Sequence, residues 1–127
     1  MGQNYLIDTN IIIDYVGGKI EGKSKDFVCQ ILNHSFSISV ITQIELLSLP
    51  ESDAVFGLLI DNAKIFGLSP EIVGKTIEIR RKRKIKIPDA IIAATSIIET
   101  RIILTNNTSD FDNIKNLKLI NPYLIKE

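Results

Sequence analysis

Short apolar runs that lead into a carboxylate punctuate this chain along its length. Asp8 follows Tyr5-Leu6-Ile7, Glu45 follows the stretch from Ile38 to Ile44, Asp89 closes Ile87-Pro88-Asp89, and Asp110 comes soon after Ile102-Ile103-Leu104. Buried parallel strands read as brief apolar runs, and ligand sites gather where those strands end. Acids delivered from several strand ends to one rim repel one another unless a hard cation neutralises them. The pattern therefore predicts an α/β chain with a carboxylate rim suited to Mg²⁺ or Mn²⁺.

The segments between the runs set the expected order of elements. Residues 4–7 read as a strand, followed by a helix through Tyr15 and Val16 that Gly17-Gly18 stops, and by a second helix over residues 24–32. Residues 36–40 read as the second strand, and Thr42 is expected to cap a helix carrying Ile44 to Leu49 and ending at Pro50. A helix follows Ser52-Asp53, residues 64–68 form a third strand, and Ser69-Pro70-Glu71 opens a helix with proline in its first turn. Helix resumes over residues 90–99 behind Ile87-Pro88-Asp89. A fourth strand over 101–104, a turn over 106–109, a short helix over 110–114 and a last strand over 117–120 complete the reading. Strands alternating with helices call for a parallel sheet with right-handed crossovers.

Composition narrows the class further. At 127 residues and 45% apolar content, much of it isoleucine, one domain with a real core is expected, its parallel strands covered on both faces. No apolar stretch approaches the roughly 18 residues of a membrane span, and Met1 to Tyr5 lacks the basic start of an export signal. Gly2 invites a myristoyl group, but Leu6 stands where a hydroxyl residue is wanted. Cys29 is the single cysteine, which rules out an internal disulfide framework or a cysteine zinc cage, and it reads as a small buried hydrophobe. A reduced, cytoplasmic setting is expected. Net charge is zero, yet seven of the fifteen basic residues fall between Lys75 and Lys86 with only Glu78 among them. A basic strip beside an acidic metal site suits a phosphodiester substrate, although a solvated helix end carries such charges too.

Singly, Asp8, Asp89 and Asp110 are also what helix starts offer. Glu45, set between Ile44 and Leu46 in an apolar helix, must be near the surface, paired or metal-bound. Together, four segments carry a resemblance: Leu6-Ile7-Asp8-Thr9-Asn10, Ile41-Thr42-Gln43-Ile44-Glu45-Leu46, the stretch from Ile87 to Thr95, and Leu104 to Phe111. In their order and spacing the sequence resembles the PIN-domain ribonucleases, and within them the VapC-like toxins of bacterial and archaeal toxin–antitoxin pairs.

The resemblance implies a PIN fold, a three-layer α/β/α sandwich around a central parallel sheet, with Asp8, Glu45 and Asp89 as the core metal-site acids. It puts a fourth ligand position on Asn107, where an amide replaces a carboxylate, and sets Asp110 near the same pocket to supply the missing charge. It further implies cleavage of single-stranded RNA or RNA loops, a cognate antitoxin that covers the site, and a homodimer. Val28, Ile31, Leu32, Leu46 and Leu58 are candidates for apolar contacts between chains, which core packing explains equally well.

The only histidine, His34, ends a helix away from the rim and is expected on the surface, so no side-chain base is at hand. Asp8, Glu45, Asp89 and Asp110 are then expected to hold one or two Mg²⁺, about 4 Å apart if two, to activate water against a phosphodiester. Thr9 and Asn10 are candidates to orient Asp8, Thr105 to orient the Asn107 turn, and Arg80, Arg81 and Arg83 to meet RNA phosphates. With 6% aromatic residues and no tryptophan, the chain offers little base-stacking surface. Two rivals stand beside this reading. Phosphatases with an aspartyl nucleophile want a second Asp where the chain has Asn10, and a PIN-like module can bind RNA or protein without cutting.

Overall fold

The computed structural model describes residues 4–50 and 54–125. Met1 to Gln3 and the expected Ser52-Asp53 helix start lie outside them. The described elements run β1 (Tyr5–Ile7), α1 (Thr9–Val16), α2 (Gly22–His34), β2 (Ser37–Ser39), α3 (Val40–Leu47), α4 (Ala54–Asp61), β3 (Lys64–Phe66), α5 (Pro70–Lys82), α6 (Ile87–Ile98), β4 (Ile102–Leu104) and β5 (Leu119–Ile120). A 3₁₀ turn over Thr108–Phe111 joins β4 to β5, and another follows at Pro122–Leu124.

All the strands pair in parallel, in the order β3-β2-β1-β4-β5. Strand alternation sends Leu6 and Ile103 to one face and Ile7, Ile38 and Leu104 to the other, so the core is split in two. The first face meets α5 and α6 through Ile72, Ile79 and Ile92; the second meets α1, α2 and α4 through Ile12, Val28 and Phe56. Helices on both faces of a parallel sheet make the expected three-layer α/β/α sandwich. Ala90, Ala93 and Ala94 are wholly buried, and their small side chains let α6 lie close against the sheet. Leu6 is fully enclosed, so Leu6→Ala should cost about 3 kcal/mol. Urea unfolding monitored by circular dichroism measures it.

The order 3-2-1-4-5 matters for function. From β1 the chain winds outward through β2 and β3, then returns to place β4 on the other side of β1. The crevice of such a sheet opens beyond the carboxyl ends of β1 and β4, where the winding reverses. Asp8 directly follows β1, and Thr105 directly follows β4.

Several local expectations need correction. Strands β2 and β3 are three residues each rather than five, because α3 starts at Val40 with no intervening turn and β3 stops at Phe66. Ser39, not Thr42, caps α3, its hydroxyl accepting from the Ile41 N–H at 3.0 Å. The expected helix at residues 110–114 is instead the 3₁₀ turn Thr108–Phe111, pinned by buried Phe111. Four of the five expected interchain contacts serve the core: Val28, Ile31 and Leu46 are buried and Leu32 packs against them, leaving only Leu58 exposed, at 63%. Cys29 is half-buried, with its sulfur accepting from Asn33 Nδ2 at 3.3 Å.

Candidate metal centre

Asp8 is held from four sides. Its backbone N–H extends the β1–β4 ladder to the Leu104 carbonyl at 2.9 Å. Its Oδ1 accepts from the Thr9 N–H at 2.8 Å, which caps α1. Its Oδ2 accepts from the Thr105 hydroxyl at 2.8 Å and from the Asn10 amide at 3.2 Å. Burial raises the Asp8 pKa above the ordinary carboxylate value; the Thr105, Thr9 and Asn10 hydrogen bonds oppose the rise, and the nearby Glu45 charge adds to it. Thr105 also accepts from the Asn107 N–H at 3.0 Å, so one buried hydroxyl ties Asp8 to the turn after β4. Removing it in Thr105→Val should raise the Asp8 pKa further and weaken Mn²⁺ binding about 10- to 100-fold, the usual effect of losing a group that orients a metal-binding carboxylate. NMR titration of the Asp8 carboxyl carbon and calorimetry would read the two effects.

Glu45 lies on the exposed side of α3 and is approached from α1. The Thr9 hydroxyl donates to its Oε1 at 2.5 Å and stands 3.0 Å from the buried Thr42 hydroxyl. Thr9 therefore orients Glu45 through its side chain, and meets Asp8 through its backbone N–H. Thr42 is a site residue that sequence reading missed; it sits three residues ahead of Glu45, so one helical turn puts both toward α1.

Asp89 occupies the first turn of α6, where the helix dipole favours an acid. Its pKa is nonetheless raised, by burial first and then by the charges of Asp110, Asp8 and Glu45, with Lys86 opposing. The four acids thus feel one another across the rim, and among the described residues none of them forms a salt bridge.

Two adjoining cavities of about 520 Å³ each share Asp89. One is lined by Asp8, Glu45, Asp89 and Asn107, with Thr9 and Asn10; the other by Asp110, Arg80, Arg83, Lys84 and Lys86. The Asn107 amide donates to the Asp110 carboxylate, linking the two cavities on their other side. Arg83 donates to the Asp112 carbonyl and Arg80 Nε to the Ile85 carbonyl at 3.1 Å, which steadies both guanidinium groups beside Asp89. Arg81 is exposed and lines neither cavity, whereas Lys84 and Lys86, absent from the expected phosphate contacts, line the second. Their closeness to Asp89 in the chain was the available signal. His34 is exposed and far from any of these residues in the fold's layout, at the end of α2.

Among the described residues no three acid, histidine or cysteine side chains stand close enough to grip one ion together. The donor set still suits Mg²⁺, which takes one or two carboxylates and keeps several waters. Buried, mutually repelling carboxylates with raised pKa values lose strain when a divalent cation joins them.

The PIN domain family model matches residues 5–117. The chain belongs to the PIN domain family. This PIN domain is 27% identical to a chain of a toxin–antitoxin complex from Klebsiella pneumoniae, over 96% of this chain and 100% of that one, with a TM-score of 0.78. DNA-bound VapBC from Salmonella typhimurium aligns at 20% identity over 94% and 98% of the two chains, with a TM-score of 0.79. VapBC-1 from nontypeable Haemophilus influenzae aligns at 22% identity over the same shares, with a TM-score of 0.76. At those lower identities the likeness is one of fold. No curated protein matches the chain.

Proposed function

We propose that this PIN domain is a Mg²⁺- or Mn²⁺-dependent endoribonuclease and the toxin of a VapBC-type toxin–antitoxin pair. One observation carries the reading. Asp8, Glu45, Asp89 and Asn107 line one cavity at the reversal point of the sheet, joined through Asp89 to a cavity rimmed by Arg80, Lys84 and Lys86. Acids for a metal and cations for a phosphodiester thus meet at a single residue. A bound divalent ion supplies a water of lowered pKa and neutralises charge on the phosphate.

The chain's own residues do the rest. Asp8, Glu45 and Asp89 would face the ion from one cavity, one or two of them bonding it directly and the rest through its waters, with Asn107 and Asp110 nearby. Thr105, Asn10 and Thr9 keep the first two acids in place through the hydrogen bonds described above. Arg80, Lys84 and Lys86 draw the scissile phosphate toward Asp89 and hold it for in-line attack. Their positive field also offsets the repulsion between the RNA backbone and the acidic rim.

The Klebsiella relative is part of a toxin–antitoxin complex, which supports an antitoxin partner here. Ile44, Leu47 and Leu58 on α3 and α4 are exposed and apolar, and support a protein partner or a second copy on that face. Among the described residues no helix is long and apolar enough to cross a membrane.

The spread of the carboxylates favours a second reading, a PIN domain that binds RNA without cutting it. Incubating the purified chain with total RNA in Mg²⁺, beside EDTA and Asp8→Ala controls, separates the two. The nuclease yields discrete fragments that vanish in both controls. Intact RNA in every lane would leave the binding module.

A further inference from the structure

Cavities follow one another along this molecule, and each shares a wall with the next. Asp89 joins the acidic cavity to the basic one. Arg83 in turn joins the basic one to a third, of about 310 Å³, between α5 and the loop ahead of β5. Ile97 and Asn116 join that one to a fourth, of about 250 Å³, at the amino ends of β1 and β4.

Beyond the acidic rim this series is basic. The third cavity is edged by Lys75, Lys82, Arg83 and Lys115, and its one acid, Glu78, is already neutralised by Lys75 at 2.9 Å. The fourth is edged by Arg101 and Lys118 and has no acid. The third cavity also has an apolar floor of Ile79, Ile97 and Ile114, with Asn113 and Asn116 at its edge. An apolar floor takes the face of an unstacked base, amides read its edge, and lysines meet the flanking phosphates. Arg83 stands at the junction, steadied there by its Nη1 donating to the Asp112 carbonyl.

We propose that a single RNA strand crossing the acidic rim continues along this basic furrow and seats one unstacked nucleotide in the third cavity. The inference rests on the ribonuclease reading and deepens it. It assigns a specificity subsite remote from the cleaved bond. A duplex cannot use the cavity, because its bases are stacked and paired and cannot enter it.

The test measures fluorescence anisotropy in EDTA, with a short labelled oligoribonucleotide that spans only the rim and one several times longer. The comparison is between the wild-type chain and the Lys82→Gln/Lys115→Gln double variant, whose two sites are exposed. The wild type should bind the long strand at least about tenfold more tightly, and the variant should lose that gain while its affinity for the short strand stays unchanged. The slope of log affinity against log salt should flatten by about 0.7 for each lost phosphate contact. Equal long-strand affinity in the variant, or a duplex bound as tightly as the single strand, overturns the proposal. Cleavage in Mg²⁺ with unchanged long-strand affinity would remove the furrow and leave the nuclease. Length-dependent binding lost in the variant, with no cleavage of any RNA, would keep the furrow and remove the nuclease.

Discussion

Asp89→Asn should lower kcat for RNA cleavage by at least about a thousandfold, the scale reached when a group stabilising developing charge is lost. The fold should survive. Asp89 sits half-buried in the first turn of α6, where asparagine is tolerated, and among the described residues no hydrogen bond ties the side chain to the core. Its carboxylate is under strain from burial and from Asp110, Asp8 and Glu45, so neutralising it relieves repulsion and Tm should hold or rise. Asp89 is the residue shared by the acidic and basic cavities, so on the proposed scheme its charge helps hold the metal that faces the substrate phosphate. Circular dichroism with a cleavage assay reads both effects. A folded Asp89→Asn chain that cuts at the wild-type rate would refute the scheme.

The second large effect is one of stability. Asp8→Asn should make the metal-free chain more stable at neutral pH and deaf to divalent ions. Burial raises the Asp8 pKa above 3.8, so the folded chain holds that proton more tightly than the unfolded one. The proton-bound excess lies with the native state, and this contribution to stability falls as pH rises from 3.8 through the raised folded value. At neutral pH the ionised Asp8 is thus a standing cost, which the variant removes. Asparagine still offers Oδ1 to the Thr9 N–H, so the α1 cap remains, but its Nδ2 cannot accept from Thr105 and Asn10 as Oδ2 does, which offsets part of the gain. Mn²⁺ at a hundredfold excess over its Kd should stabilise the wild type by about 2.7 kcal/mol, on the order of 10 °C in Tm for a chain this size. The variant should gain nothing. An equal metal shift in both proteins would mean the ion binds away from Asp8.

The parts of this fold legible in the sequence are those where local chemistry and tertiary packing agree. Ser69-Pro70-Glu71 announces α5, and Ser69 does accept from the Ile72 N–H with Pro70 in the first turn. Gly17-Gly18 announces the end of α1, and Gly18 takes the left-handed φ of 75° that glycine permits. The β2–α3 junction is different. Val40, Ile41 and Thr42 are β-branched and locally favour strand, so the true start of α3 depends on the Ser39 cap and on burial of Thr42 and Leu46. Phe111 likewise sets the turn after β4 by burying itself against the sheet, which no local periodicity announces.

At the site, the acids were legible through their recurrence at the ends of apolar runs, since helix starts alone account for Asp8, Asp89 and Asp110 taken singly. The threonines were only half legible. Thr9 stands next to Asp8 and Thr105 beside the Asn107 turn in their motifs, but that Thr105 donates to Asp8 needs β1 beside β4, and that Thr9 serves Glu45, with Thr42 at hand, needs α1 and α3 side by side. Arg81 and Arg83 are two apart on one basic run, yet only Arg83 reaches the cavities, because α5 ends at Lys82 and the chain turns there.

The most direct test of a metal-dependent ribonuclease is the origin of the oxygen it adds. A defined single-stranded RNA is cut by the wild-type chain in Mg²⁺ and ¹⁸O-labelled water, and the fragments are weighed by mass spectrometry. The account predicts one heavy oxygen on the terminal phosphate of a product, and no product at all with EDTA. Fragments ending in an unlabelled 2′,3′-cyclic phosphate, or cleavage that persists in EDTA, would contradict it.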